Sequence, residues 1–301
     1  MTNRDLSIII VNYNTTELTE NCINSVILNT HGIEYEIILV DNSSKDGSCA
    51  YLKEVFPNIQ IIANSGNLGF AKANNQGIRL AKGRNILLLN SDTIVLDDCL
   101  KKVLEFAETR HDVGVVGCKI LNKDGSLQYS CYHSPGFLSE LVFFTKDIIK
   151  GFWDPIAYYK YMKYWNHNSI KVVDCISGCF MMIKKEVFSQ VEHLDEKYFM
   201  YYEDSDFCRR VKDSGLKVLY YPNSQIIHLQ GLSGDKTSFS TLKQCFDSAY
   251  FFINKHYGRF ASKVFRSLCV LIWKIEQLIF SFFMINKKCA QKAKMLRSLI
   301  G

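Results

Sequence analysis

The sequence predicts an α/β fold: a doubly wound, mixed but mostly parallel sheet flanked by helices, followed by a helical amphipathic tail. Short β-branched apolar runs recur through the first 90 residues, segments with helical spacing separate them, and acidic residues stand just past two of the runs.

The runs are 6–11 (LSIIIV), 36–40 (EIILV), 59–63 (IQIIA) and 85–89 (NILLL). Residues that are apolar at consecutive positions are buried on both faces, which is how strands of a parallel sheet read. Helical spacing fills 16–29 (Leu18, Cys22, Val26), 46–55 and 69–81 (Phe70, Ala73, Ile78, Leu80). Strand and helix therefore alternate at intervals of about 25 residues, and such sheets bind ligands at the carboxyl ends of their strands. A helix over 96–109, strands at 113–118 and 179–183, a helix over 203–214 closed by Gly215, and strands at 217–221 and 225–228 continue the pattern. The stretch 126–170 has no clean period and is crowded with aromatics, among them Tyr129, Tyr132, Phe143, Phe144, Trp153, Tyr161 and Trp165. It is either an insertion with a binding role or an aromatic packing layer. With no repeat and no low-complexity linker, the simplest division is a body over 1–250, in halves 1–92 and 93–250, and a tail over 251–301.

The 301 residues carry 36 Lys and Arg against 30 Asp and Glu, a net charge of +6, and 48% hydrophobic content excludes a disordered body. The charge is uneven. Residues 251–301 hold ten basic residues and one acid, Glu276, whereas the body has 26 basic against 29 acidic. A slightly acidic body argues against nucleic acid and assigns the positive charge to something the tail alone touches. Eleven cysteines without a CxxC pair support neither a disulfide framework nor a zinc site, so a reducing, cytoplasmic compartment is expected. The first apolar run ends in Asn-Tyr-Asn and reads as a strand, with no signal peptide before it.

In the tail, apolar residues at 264, 268, 271, 272, 275, 279 and 282 alternate with polar ones at 263, 267, 274, 277 and 281. Its uncharged apolar stretches fall short of the ~18–20 residues that span a bilayer. With Lys287, Lys288, Lys292, Lys294 and Arg297 nearby, the pattern predicts a helix lying on an anionic membrane surface; the alternative is a packing or dimer helix with a solvated basic end.

Asp41 follows EIILV and opens DNSSKDG. It fits a turn or helix cap, and equally a carboxylate that holds a ribose hydroxyl or a nucleobase. Neither GxGxxG after the first strand nor GxxxxGK[ST] is present, which disfavours the dinucleotide and P-loop versions. Asp92 stands past the NILLL run, so two strand ends present carboxylates toward one crevice. A diphosphate there meets repulsion on the order of 3 kcal/mol per charge pair at roughly 5 Å, and a divalent cation reverses the sign. Oxygen ligands suit Mg2+ or Mn2+. Glu203, Asp204 and Asp206 open a helix, where acids are favoured, and Asp206 is spaced to pair with Arg210. Tyr198, Phe199, Tyr201 and Tyr202 precede them, and an aromatic wall would desolvate a carboxylate and raise its proton affinity toward that of a general base. His228 is either structural or a metal ligand.

In order, VNYN, LVDNSSKDGS, NSGNLGFAKANNQGI, LLLNSD, ISGCFMMI, YYEDSDFCRR and HLQGLSG resemble the motifs of bacterial family 2 glycosyltransferases of the GT-A fold, in the rhamnosyltransferase-like branch of surface polysaccharide assembly. The resemblance covers residues 5–235. It implies a donor site of Asn12, Tyr13, Asp41, Asn67, Asn74, Ser91 and Asp92, with Gly69 in the same loop as Asn67. The family's Asp-x-Asp motif becomes Asn90-Ser91-Asp92, and Asp92 with His228 is implied to hold Mg2+ or Mn2+. Asp204 is the implied general base, with Asp206 as second candidate. The implied reaction is inverting transfer of a sugar from a nucleoside diphosphate sugar, dTDP-rhamnose or a UDP-hexose, to a hydroxyl of a saccharide or lipid-linked saccharide acceptor. The protein is then expected at the inner face of the cell membrane, held there peripherally by its tail. A nucleotidyltransferase would need a glycine- and basic-rich triphosphate loop near the first strand, which is not evident. A non-catalytic nucleotide-sugar binding protein would have no need of YYEDSD.

Overall fold

The computed structural model describes residues 4–145, 155–229 and 239–282. The four apolar runs form β1 (Leu6–Asn12), β2 (Tyr35–Asp41), β3 (Gln60–Ala63) and β4 (Asn85–Asn90), separated by α1 (Thr16–Leu28), α2 (Ser48–Val55) and α3 (Phe70–Leu80). β1 lies between β2 and β4 in parallel register, with Ile8 opposite both Ile37 and Leu87. These strands take helices on both faces, which is why their side chains are apolar without alternation.

After β4 come β5 (Thr93–Val95), α4 (Cys99–Glu108), β6 (Val113–Leu121), β7 (Leu127–Gln128), β8 (Cys131–Tyr132), α5 (Phe137–Thr145), α6 (Pro155–Lys160), β9 (Lys171–Val172) and β10 (Cys175–Ile176). The chain continues through β11 (Phe180–Lys184), α7 (Val187–Val191), α8 (Glu203–Asp213), β12 (Lys217–His228), α9 (Phe239–Tyr257) and α10 (Arg259–Phe282). The main sheet has the order β3-β2-β1-β4-β11-β6-β12-β5, with β7 beside β6 and β9 beside β12. β11 runs antiparallel to β4 and β6, and β5 antiparallel to β12, so the sheet is mixed and mostly parallel as expected. β8 and β10 form a separate two-stranded sheet.

The two strands expected at 217–221 and 225–228 are one strand. Its pairing with β6 shifts register between Tyr221 and Gln225. Pro222, inside the shift, has no N–H to give to the ladder, so the strand bulges there and then resumes pairing. α9 was not anticipated, and residue 250 falls in its middle. Gly258, at φ +93°, takes the left-handed turn that separates α9 from α10.

Two apolar layers cover the sheet, one with α1, α2 and α4 and the other with α3, α7 and α8. A third cluster joins Phe144 of α5, Phe246 and Phe252 of α9, and Phe265, Cys269 and Trp273 of α10 to Tyr198 and Tyr202. Burying a Phe side chain contributes about 1.5–3 kcal/mol, so this layer fixes α9 and α10 to the body. Val264, Leu268 and Ile272 of α10 are half-buried at its margin, while Leu271 and Ile275 are exposed. The basic cluster at 287–297, Trp153 and the side chains of Ile279 and Phe282 lie outside the described residues. Among the described residues no helix is long and apolar enough to cross a membrane, and the ten cysteines described are free thiols.

Gly69 fastens α3 to the chain leading into α8. It sits at φ +84°, and a Cβ there would fall 2.4 Å from the Phe199 carbonyl oxygen. The next N–H, of Phe70, donates to that same oxygen at 2.7 Å. Gly69→Ala combines a left-handed φ with a backbone clash and is expected to cost about 1–3 kcal/mol, measured by denaturant unfolding.

Candidate active site

At the carboxyl ends of β1 and β4 lies a cavity of about 600 Å³, whose wall includes Tyr13, Asn42, Asn67, Asp92, Asp204 and His228. Ser91 also faces it, with its hydroxyl 3.3 Å from that of Thr15. Three of the predicted donor residues stand behind the wall. Asn12 is the register partner of Asp41, and its Nδ2 donates to Asp41 Oδ1 at 2.7 Å. Asp41 Oδ2 accepts the Ser44 N–H at 3.1 Å, so this carboxylate, 3% exposed, ties the loop after β2 in a local turn. Asn74 is buried in α3 and bonds back to the Phe70 carbonyl at 2.9 Å. Asn67 does line the cavity, and its Oδ1 accepts from Asn42 Nδ2 at 2.8 Å and from the Gly69 N–H at 3.0 Å.

β5 begins at the residue after Asp92 and pairs Thr93 with His228. That register brings His228 Nε2 to 3.1 Å from Asp92 Oδ1, and the Leu229 N–H donates to the Asp92 carbonyl at 2.8 Å. His228 Nδ1 lies 2.6 Å from Gln128 Oε1, an acceptor, so in the neutral ring the hydrogen sits on Nδ1 and the lone pair on Nε2. Two lone-pair atoms at this distance repel unless a proton or a cation lies between them. Adjacent octahedral ligands at about 2.1 Å from an ion stand about 3.0 Å apart, so the pair has the spacing of two cis ligands. Asn90 Oδ1, in the same motif, is buried without a hydrogen-bond partner. Among the described residues no three His, Cys, Asp or Glu gather to hold an ion. Two protein ligands nevertheless suit Mg2+ or Mn2+, which complete their shells with substrate phosphates and water.

α8 opens on the opposed problem of carboxyls without cations. Asp204 Oδ2 accepts the Tyr132 hydroxyl at 2.9 Å and the Gly178 N–H at 3.1 Å, and Oδ1 accepts the Ser205 N–H at 2.6 Å. Burial raises its proton affinity; these donors pull the other way, and the net shift is upward. Burial and the charge of Asp204 push Glu203 up to about 8. Tyr201 and Tyr202, at φ +71° and +68°, turn the chain into the helix. The Tyr202 hydroxyl donates to the buried Glu140, whose other oxygen accepts Lys160 Nζ at 2.6 Å, and Lys160 borders the cavity beneath the Phe143 ring.

Residues 7–191 match the model of glycosyl transferase family 2. The chain is a family 2 glycosyltransferase. A shorter segment, 167–231, matches the N-terminal domain of galactosyltransferase. This glycosyltransferase is 26% identical over 293 residues to the low-salt glycan biosynthesis hexosyltransferase Agl10 of Haloferax volcanii, covering 92% of this chain and 85% of that one. It is 25% identical over 235 residues to the N-acetylglucosaminyl-diphospho-decaprenol L-rhamnosyltransferase of Mycobacterium tuberculosis, covering 74% and 76%. Identity to the rhamnosyltransferase WbbL of Escherichia coli is 29% over 212 residues, covering 67% and 75%. The crystal structure of S. aureus TarS 1-349 superposes with a TM-score of 0.55 at 14% identity, covering 83% of this chain and 65% of that one. That of GalNAc-T7 with UDP, GalNAc and Mn2+ gives 0.59 at 17%, covering 89% and 55%. Both are GT-A glycosyltransferases, and the likeness fixes the fold of this one.

Sequence reasoning did not single out Gln128, Gly178, Lys160 or Gln244, all on the cavity wall. Gln128 sits in a two-residue strand and Lys160 ends a six-residue helix, too short for a period to register. The aromatic stretch divides between its two expected roles. Tyr129, Tyr132, Phe143 and Tyr161 face the cavity, whereas Phe144 belongs to the third core cluster.

Asp206, the second candidate for the base, is fully buried away from the cavity. It accepts Arg210 Nε at 2.8 Å, His256 Nε2 at 2.8 Å and Lys255 Nζ at 3.0 Å, the last two from α9. Burial alone would raise this carboxyl, but the His256 hydrogen bond, the Arg210 charge and Lys255 outweigh it and bring it down to about 2, from 3.8. A depressed carboxyl stabilises the fold above its unfolded value, and that contribution is lost as pH falls through the folded one. Between pH ~4 and ~2 the loss is therefore about 2 kcal/mol. In acid denaturation followed by circular dichroism, Asp206→Asn is expected to lack this component and to be less stable than wild type at neutral pH.

Proposed function

We propose that this enzyme transfers a rhamnosyl or other hexosyl group, with inversion, from a nucleoside diphosphate sugar to a hydroxyl of a lipid-linked saccharide in cell-surface polysaccharide assembly. The observation that carries the reading is one cavity holding both a desolvated carboxyl, Asp204, and the Asp92–His228 pair. The relatives, a hexosyltransferase and two rhamnosyltransferases, one on a diphospho-decaprenol saccharide, support the substrate classes.

Asp204 takes the proton of the acceptor hydroxyl as its oxygen bonds to the anomeric carbon and the bond from that carbon to the diphosphate oxygen breaks. Tyr132 and Gly178 hold the receiving carboxylate in place. A positioned base contributes about 10²–10⁴-fold. Asp92 and His228 would hold Mg2+ or Mn2+, which when bound supplies Lewis-acid neutralisation of the leaving diphosphate. Asn42, in the loop after β2 that Asp41 and Asn12 tie down, and Asn67, in the loop before α3, bond each other and form the wall proposed for the donor.

The outer face of α10 favours attachment to the inner face of the membrane. Phe260, Leu271 and Ile275 are exposed there, beside exposed Lys263, Arg266 and Lys274. Apolar residues with basic neighbours suit an anionic lipid surface.

With dTDP-rhamnose and N-acetylglucosaminyl-diphospho-decaprenol, Asp204→Asn is expected to lower transfer about 10²–10⁴-fold while donor still binds by calorimetry; near wild-type transfer would remove Asp204 from the role of base. EDTA is expected to abolish turnover and Mn2+ to restore it, and full turnover in EDTA would remove the metal. In co-sedimentation with vesicles rich in anionic lipid, the triple change Phe260→Ser, Leu271→Ser, Ile275→Ser is expected to weaken binding at least tenfold, on the order of the transfer energy of three apolar side chains. Unchanged binding would sink the membrane reading.

A further inference from the structure

Glu203 is a buried carboxyl on the cavity wall that the reaction above does not use. It is 5% exposed, and its Oε2 is buried with no hydrogen-bond partner. Its neighbour Asp204 differs in this respect, since both oxygens of Asp204 accept protein donors. The titratable groups that act on Glu203 or feel its charge are Asp204 and Asp206 of α8, Tyr198 and Tyr201 of the preceding loop, and Cys245 of α9. None of these is a cation and two oppose a carboxylate directly, so only the residue's own backbone N–H acts to stabilise the charge. A buried oxygen without a partner costs about 1–3 kcal/mol, more if it is charged, and such a group in a native fold calls for an explanation.

We propose that Glu203 is a substrate-binding residue that stands in the cavity as a neutral carboxylic acid and donates its O–H to an oxygen of the acceptor sugar. The unsatisfied Oε2 is then a carbonyl oxygen rather than half of a buried anion, which lowers its cost. The single proton of the Glu203–Asp204 pair resides on Glu203 and leaves Asp204 ionised to receive the proton of the attacking hydroxyl. Two adjacent acids thereby take different tasks: one binds with a hydrogen it keeps, the other collects a hydrogen it lacks. Glu203 and Asp204 line one cavity, which assigns Glu203 to the same substrate that Asp204 serves.

The inference rests on the glycosyl-transfer reading, and its test uses the full chain with two variants. Glu203→Gln keeps a neutral donor of nearly the same shape, and Glu203→Leu keeps the volume without the donor. With dTDP-rhamnose and N-acetylglucosaminyl-diphospho-decaprenol, Glu203→Gln is expected to stay within about threefold of wild type in kcat. Glu203→Leu should raise the acceptor KM about tenfold, the loss of one hydrogen bond, with no fall in thermal midpoint because an unsatisfied buried oxygen has gone. Difference infrared spectra at neutral pH should show a protonated carboxylic acid band in wild type that is missing from Glu203→Gln, and this readout needs no substrate. If wild type turns over neither dTDP-rhamnose nor UDP-hexoses with this acceptor, the functional reading fails while the infrared result still decides the state of Glu203. The proposal is overturned if Glu203→Gln is as impaired as Asp204→Asn, if Glu203→Leu keeps the wild-type acceptor KM, or if the carboxylic acid band is unaffected by Glu203→Gln.

Discussion

Three antiparallel pairs, Thr93 to His228, Ile94 to Ile227 and Val95 to Ile226, are the constraint on which the rest of the site depends. β4 ends deep in the sheet, and the chain would ordinarily leave its carboxyl edge for a helix. It first crosses to the far side of β12 for three residues instead. Asp92, caught at the crossing, is delivered against a histidine 136 positions later in the chain. A slip of one residue would turn every β5 side chain to the other face and separate the two. The apolar layer of α1 and α4 below this edge, with Val95 and Ile226 in it, makes such a slip costly.

The second half of the site is set by burial and by where cations are allowed. α8 carries three acids in its first turn, and the fold treats each differently. Asp206 points toward α9 and receives Arg210, Lys255 and His256, becoming a strong ionic clamp. Asp204 receives only neutral donors, and Glu203 leaves an oxygen with none. One turn of helix thus grades from fully compensated charge to uncompensated acid as it passes from the helical layer to the cavity. The macrodipole at the helix start favours negative charge at all three, so the neighbours make the difference.

The first half-fold was legible because both faces of its strands are buried, and continuous apolar runs leave little choice of structure. The strand-end acid Asp92 was conspicuous for a related reason, as a carboxylate at the rim of an apolar run, whereas Asp204 stood out at a helix start behind an aromatic run. Asp41 shows the limit of that signal. It is just as conspicuous, yet its oxygens are committed to Asn12 and Ser44, and only the register of β1 with β2 reveals this. β7 to β10 were illegible because strands of two residues have no period, and α9 because its core face of Phe246, Ala249, Phe252 and Ile253 is interleaved with other aromatics such as Tyr250 and Phe251. In α10 the helix was legible but its buried face was not. Phe265, Cys269 and Trp273 point inward, and the aliphatic stripe beside them is what the spacing alone had picked out.

The Glu140–Lys160 pair beneath Phe143 has a consequence for how molecules find this enzyme. Its opposite charges cancel within 2.6 Å, so beyond a few ångströms the inner cavity projects almost no field from them. Recognition beside this pair then draws on shape and on contact with aromatic rings rather than on the pair's own charges. Added salt, which screens charges over about 10 Å in ordinary buffers, would leave it nearly untouched. The pair therefore gives its end of the cavity a polar wall that carries no net charge.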